Sequence, residues 1–218
     1  IIDNPIKNLD RPATKRTLPK YLTLDESTEL LEIADLKNSA RDYCMLTLFL
    51  NCGMRLSELV AINRTDVRDD NTLKLLGKGN KERIVYLNEA CLDAINTYLE
   101  DSKKLKRKDD ALFTGQNGHR LSPRRVEQII GECLKNAGLS DKGYTPHKLR
   151  HTAATLMYRY GNVDVRILKE ILGHSNLATT EIYTHVSSQQ LEHAADSSPL
   201  AQKKRAKKAK DDGHSSTE

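Results

Sequence analysis

The sequence predicts a mainly helical α+β domain carrying one small antiparallel sheet. Helix-start and helix-stop signals follow one another along most of the chain, and no internal repeat interrupts them. The pattern breaks once, near residues 69–87, where two short strand-like runs flank a glycine-rich basic loop.

Residues 1–20, punctuated by Pro5, Pro12 and Pro19 among lysines and arginines, read as an interdomain linker arriving from a preceding domain. Thr23 and Glu26 form a capping box ahead of Leu24, Leu30, Leu31, Ile33 and Ala34, which predicts a helix ending near Asp35. A second helix runs from Ser39 through Leu50 and stops at Gly53; it is apolar nearly all round and therefore central. A short helix over Leu56–Ala61 leads to the turn Asp69-Asp70-Asn71. The strands are expected at Leu73–Leu76 and Arg83–Leu87, around the loop Gly77 to Lys81.

A helix from Glu89 to about Asp101, a charged connection over residues 103–110 and an extended piece at 111–114 come next. Ser122-Pro123 and Thr145-Pro146 each pair an N-cap with proline at the first helical position, and Gly138 and Gly161 close the two helices they open. Val163–Leu172 reads as a further helix closed by Gly173. Ser175 opens the segment that carries Tyr183, and Ser187 with Gln190 caps a last amphipathic piece ending near Ala195.

Thirty-five Lys and Arg against 30 Asp and Glu leave a net charge of +5, which points to a polyanionic partner. Much of the excess lies in Lys203, Lys204, Arg205, Lys207, Lys208 and Lys210, and residues 199–218 read as a solvated, disordered basic tail. A mean hydropathy of −0.62 and the lack of any long apolar run exclude a spanning helix. The four cysteines, at 44, 52, 91 and 133, lack metal-ligand spacing and sit in apolar helical segments, as buried free thiols of a reducing, cytoplasmic compartment do.

Five polar features fall where helices start or stop: Arg55 and Glu58 in GMRLSEL, Lys78 in GKGNKER, His147 and Arg150 in HKLRHTAAT, His174 after Leu172-Gly173, and Tyr183 in IYTH. Taken singly, each has a plain explanation. An isolated RxxE is an exposed ion pair worth a few tenths of a kcal/mol, and a basic hairpin without a GxxxxGK[ST] frame is a common surface feature. His147 and His151 lack the HExxH frame of a zinc site. His147 and Arg150 do share a face at a helix N-terminus, an end that favours anions.

In this order the blocks resemble the tyrosine recombinases of the phage-integrase family, Xer-like members included. The resemblance covers roughly Pro19 to Ala195, and its most specific part is LGHSNLATTEIYTH. It implies the recombinase catalytic-domain fold over residues 21–198. By position, Arg55 and Arg150 match the catalytic arginines, Lys78 the hairpin lysine, His147 and His174 the active-site histidines, and Tyr183 the nucleophile. Glu58 matches the acidic position that supports the first arginine. Tyr86 stands where relatives often carry proline, and the basic tail is unusual.

The implied activity is site-specific cleavage and rejoining of double-stranded DNA through a 3′-phosphotyrosine, with no cofactor and no metal. Such chemistry needs fixed cations for the charge gathering on the phosphate oxygens, and arginine supplies a fork that stays protonated. A tyrosine hydroxyl with a reference pKa near 10 needs help to lose its proton, and the family assigns that to His147. Lys78 is implied as the acid for the leaving 5′ oxygen, and His174 as a donor to a nonbridging oxygen. The resemblance further implies a tetramer on DNA, nucleoid association, an N-terminal core-binding domain absent from this chain, and exchange of residues 187–198 onto a neighbouring subunit. A type IB topoisomerase shares the pocket, and a non-catalytic DNA-binding regulator could keep the fold. The residues alone leave both readings open.

Overall fold

The computed structural model describes residues 20–37, 39–77, 82–173 and 188–205. It contains the helices α1 (Leu24–Leu36), α2 (Ala40–Cys52), α3 (Leu56–Ala61), α4 (Glu89–Asp101), α5 (Pro123–Asn136), α6 (Pro146–Tyr160), α7 (Val165–Leu172) and α8 (Ser188–Asp196). Strands β1 (Thr72–Leu76) and β2 (Glu82–Tyr86) lie between α3 and α4 and pair antiparallel, with Leu75 opposite Arg83 and Leu73 opposite Val85. The expected architecture is the one observed.

Helix α2 is buried at eleven of its positions, from Ala40 to Cys52 with only Arg41 and Asp42 partly open. Helices α1, α4, α5 and α6 pack round it. A helix apolar on every face belongs at the centre of such an arrangement. The capping box of α1 is formed in full: Glu26 N–H donates to Thr23 Oγ1 at 3.1 Å and Thr23 N–H to Glu26 Oε2 at 2.8 Å. Ser39, Ser122 and Thr145 likewise accept from backbone N–H groups at the starts of α2, α5 and α6. All four cysteines are buried free thiols, as expected.

At the piece 111–114 read as extended, Ala111 and Thr114 make single bridges to Asn63 and Arg120. Arg120 donates to the Val60 and Ile62 carbonyls and to Asn63 Oδ1. Helix α7 begins two residues later than its apolar pattern suggests, because Asn162 adopts φ 51° and Asp164 accepts from Arg166 N–H as the cap. The tail, expected to be solvated from residue 199, is packed as far as Arg205. Leu200 and Ala201 are buried, and Ala90 N–H donates to the Ala201 carbonyl. Lys203 pairs with Glu32 at 2.6 Å, Lys204 with Glu89 and Arg205 with Asp35. The tail's first basic residues are thus answered by acids of α1 and α4, a pairing that no local pattern announces. Residues 206–218 lie outside the described residues, as do residues 1–19 of the expected linker.

Helix α8 packs on α7 and β2 of its own chain, where Ala194 joins a small cluster with Met157, Val163, Leu168 and Ile171. Asn88 Nδ2 donates to both the Ala195 carbonyl and Asn51 Oδ1, and Ser198 Oγ donates to the same Asn51 oxygen. Exchange of this segment onto a neighbour would require these contacts to open first.

The ends of α2 and α7 meet. Gly53 closes α2 at φ 57°, and a Cβ built on it would stand 2.7 Å from Leu172 Cδ2. An L-residue in this left-handed conformation costs about 1–2 kcal/mol before any clash. Gly53→Ala should therefore lower unfolding free energy by about 2 kcal/mol or more, read from the urea midpoint at constant m. An unchanged midpoint would contradict the close approach of these helix ends.

Candidate active site

Arg55 is the N-cap of α3 and Glu58 its third residue. The glutamate reaches back to accept from Arg55 N–H at 2.6 Å, and Arg55 Nη1 donates to Glu58 Oε1 at 2.8 Å. This is the glutamate half of a capping box, built by RxxE. The plain reading of that pair as a solvated surface bridge does not hold, because the Glu58 side chain is only 1% exposed.

A buried carboxylate must be paired on several sides. Arg83, at the start of β2, grips Glu58 with a two-pronged fork: Nη2 donates to Oε2 at 2.9 Å and Nη1 to Oε1. Arg150 in α6, itself buried, places Nη1 3.9 Å from Glu58 Oε2. Three arginines from three separate elements thus surround one carboxylate.

The same arginines close the C-terminal end of α7. Arg83 Nε donates to the Ile171 carbonyl at 3.2 Å, Arg150 Nη2 to Leu172 at 2.5 Å, and Arg55 Nη2 to Gly173 at 3.2 Å. Three consecutive carbonyls each accept from a different guanidinium. Arg150 Nη1 also donates to the Gly53 carbonyl at 2.6 Å, tying in the end of α2. Helix C-termini carry unpaired carbonyls and partial negative charge, so cations settle there.

The electrostatics follow from this packing. Burial works to raise the Glu58 pKa, yet hydrogen bonds from Arg83 and the Arg55 backbone, with the charge of Arg83, hold it below the ordinary carboxylate value. Burial and the neighbouring charge of Arg55 push Arg150 down to about 10, with Glu58 opposing and Arg83 adding to the shift. The guanidinium stays charged at neutral pH. Three cations against one carboxylate leave a net positive site even after the helix ends are counted, at about half a charge each.

His147 lies one turn before Arg150, exposed in the opening turn of α6. Next to it on that helix, His151 packs edge-on against the Tyr21 ring, and burial together with His147 lowers its pKa. Thr145 caps this turn by accepting from Lys148 N–H, and Pro146 at the first position has no N–H to leave unpaired. Among the described residues, no group of His, Cys, Asp and Glu is arranged to hold a metal ion.

The structure therefore brings Arg55, Glu58 and Arg150 together and sets His147 one turn from Arg150. Lys78, His174 and Tyr183 lie outside the described residues. In the chain, Lys78 belongs to the loop joining β1 to β2, and His174 directly follows Gly173, whose carbonyl Arg55 holds. Arg83 is the participant that motif reading passed over. Its signal was present: it shares the inward phase of β2 with Val85 and stands opposite buried Leu75, so a charge there demands a buried partner.

The chain matches the family model of the Phage integrase family over residues 20–190. It belongs to that family. A relative described as tyrosine recombinase XerC, from Caldanaerobacter subterraneus subsp. tengcongensis, is 51% identical over 93% of this chain and 57% of its own length. The protein of the same description from Shewanella oneidensis is 39% identical over 94% of this chain and 67% of its own. Among solved structures, the XerA recombinase aligns at TM-score 0.66 with 33% identity, over 80% of this chain and 63% of that one. The XerH recombinase bound to a palindromic difH substrate, a post-cleavage complex, aligns at 0.68 with 30% identity, over 88% and 57%. The domain thus has the fold of tyrosine recombinase catalytic domains, and it spans a little under three fifths of the first of these relatives.

Glu58 concentrates the electrostatic load of the site, which sets a clear expectation for stability. Removing one member of a buried ion cluster costs about 3–5 kcal/mol because the others keep their charge. Glu58→Gln should lose about that much at neutral pH, measured by urea unfolding. Since the folded pKa lies below the ordinary 4.5, this contribution is complete above that value and fades as pH falls through the folded pKa. The gap between wild type and Glu58→Gln should narrow in acid. A gap that stays constant down to about pH 3 would contradict an ionised, paired Glu58.

Proposed function

We propose that this chain is the catalytic domain of a site-specific tyrosine recombinase, which cleaves and rejoins double-stranded DNA through a covalent 3′-phosphotyrosine at Tyr183. The observation that carries the reading is the convergence of Arg55 and Arg150 on Glu58 at the joined ends of α2 and α7. Two arginines fixed in this way present preorganised donors for a phosphate whose nonbridging oxygens gain charge during substitution. That the relatives and solved neighbours described above are recombinases favours strand exchange over relaxation of supercoils and over a non-catalytic role.

In the proposed reaction, the Tyr183 oxygen attacks the scissile phosphorus and the bond to the 5′ oxygen breaks. His147, exposed on the opening turn of α6, accepts the tyrosine proton, directly or through water. Lys78 supplies a proton to the departing 5′ oxygen, and His174 donates to a nonbridging oxygen. The phosphotyrosine conserves the energy of the broken bond, so an incoming 5′ hydroxyl reverses the step without a nucleotide cofactor. Assembly as a tetramer on two DNA sites, in the cytoplasm at the nucleoid, belongs to the same proposal. Among the described residues no helix is long and apolar enough to cross a membrane.

Tyr183→Phe should abolish covalent protein–DNA adduct on a nicked suicide substrate while leaving DNA affinity within about threefold, since the change removes a nucleophile and no phosphate contact. An adduct formed by Tyr183→Phe would overturn the assignment. Binding should also weaken steeply with salt, log K falling linearly against log salt, because phosphate contacts release counterions. A flat salt response in a shift assay would count against a backbone-directed interface.

A further inference from the structure

Arg83 has a part in the site that the substitution chemistry above does not use. All three of its nitrogens are engaged: two hold the two oxygens of Glu58 and the third holds the Ile171 carbonyl. Its side chain is 14% exposed. Arg55 differs, being 39% exposed, and among the described residues its guanidinium takes one Glu58 oxygen and the Gly173 carbonyl.

We propose that Arg83 is a positioning residue of the recombination site, which holds Glu58 and the end of α7 so that the charges of Arg55 and Arg150 remain available to the scissile phosphate. Three observations support it. Glu58 lies within reach of all three arginines, so a carboxylate released by Arg83 could close the 3.9 Å gap to Arg150 and neutralise it. Arg83 takes the first of the three carbonyls that end α7, and the other two hold Arg150 and Arg55 in turn. Gly173 leaves room for this arrangement: a Cβ there would stand 3.1 Å from Arg83 Cδ and 3.4 Å from its Nε.

The residue type matters as well as its charge. A bidentate grip plus a third donor at right reach is what a guanidinium supplies and an ammonium does not. Lysine at this position would keep the charge balance but release either Glu58 or α7.

This inference rests on the recombinase reading, and the test separates the two. The full-length protein is assayed for single-turnover adduct formation on two suicide substrates, one with an ordinary scissile phosphate and one with a methylphosphonate there, which lacks the charge the arginines balance. On ordinary DNA, Arg83→Gln should slow adduct formation by about 10²-fold, the scale of a modest misplacement of reacting groups, and Arg83→Lys should fall between it and wild type. On methylphosphonate DNA the difference between wild type and either variant should shrink to under about threefold, since little charge is left to stabilise. A purely structural defect would slow both substrates alike, and that result overturns the proposal, as does a wild-type rate for Arg83→Gln on ordinary DNA. Arg83→Lys, read at a temperature where its circular dichroism matches wild type, decides the matter if the glutamine variant does not fold. Failure of wild type to form any adduct would overturn the recombinase reading, and this proposal with it.

Discussion

Everything at the candidate site depends on a single buried carboxylate. Glu58 is almost inaccessible to solvent, and its charge can exist there only because Arg55, Arg83 and Arg150 surround it. The glutamate in turn fixes three cations that would otherwise repel one another. Such clusters add little to net stability compared with a well-packed apolar core, but they specify geometry, which is what transition-state stabilisation requires. The site is assembled from α3, β2 and α6, and Glu58 is where the three meet.

Helix ends complete the arrangement. The carbonyls at the close of α7 and the Gly53 carbonyl at the close of α2 take up the remaining guanidinium donors, so the backbone serves as the second anchor for each arginine. Two left-handed glycines, at 53 and 173, allow those ends to approach so closely. The core beneath is ordinary: α2 at the centre with its buried thiols and apolar side chains, and four helices round it. Packing thereby sets the distances, and charge decides what the surface can hold.

Much of this was legible in the sequence, and the reasons differ from element to element. Thr23 with Glu26, Ser122 with Pro123 and Thr145 with Pro146 announce helix starts because capping is local chemistry, readable within four residues. Gly53 and Gly173 announce helix stops for the same reason. The tail was misread from residue 199 because its partners, Glu32, Asp35 and Glu89, lie far away in the chain. Arg83 was passed over for a related reason: the motif drew attention to the loop lysine, while the strand's alternation pointed inward. Arg55, Glu58 and Arg150 stand out by motif, but nothing local reveals that the two arginines share that carboxylate and one helix end.

In the proposed reaction Arg55 and Arg150, held by Glu58, face the same phosphate as Tyr183. The most direct measurement is a structure of the protein on its DNA site with orthovanadate bridging the break, a stable mimic of the pentacoordinate phosphorus. Donors of both arginines should lie about 3 Å from equatorial vanadate oxygens, with the Tyr183 oxygen apical and Glu58 still gripped by Arg83. A vanadate centre contacted by neither arginine, or with Tyr183 remote from it, would contradict the account.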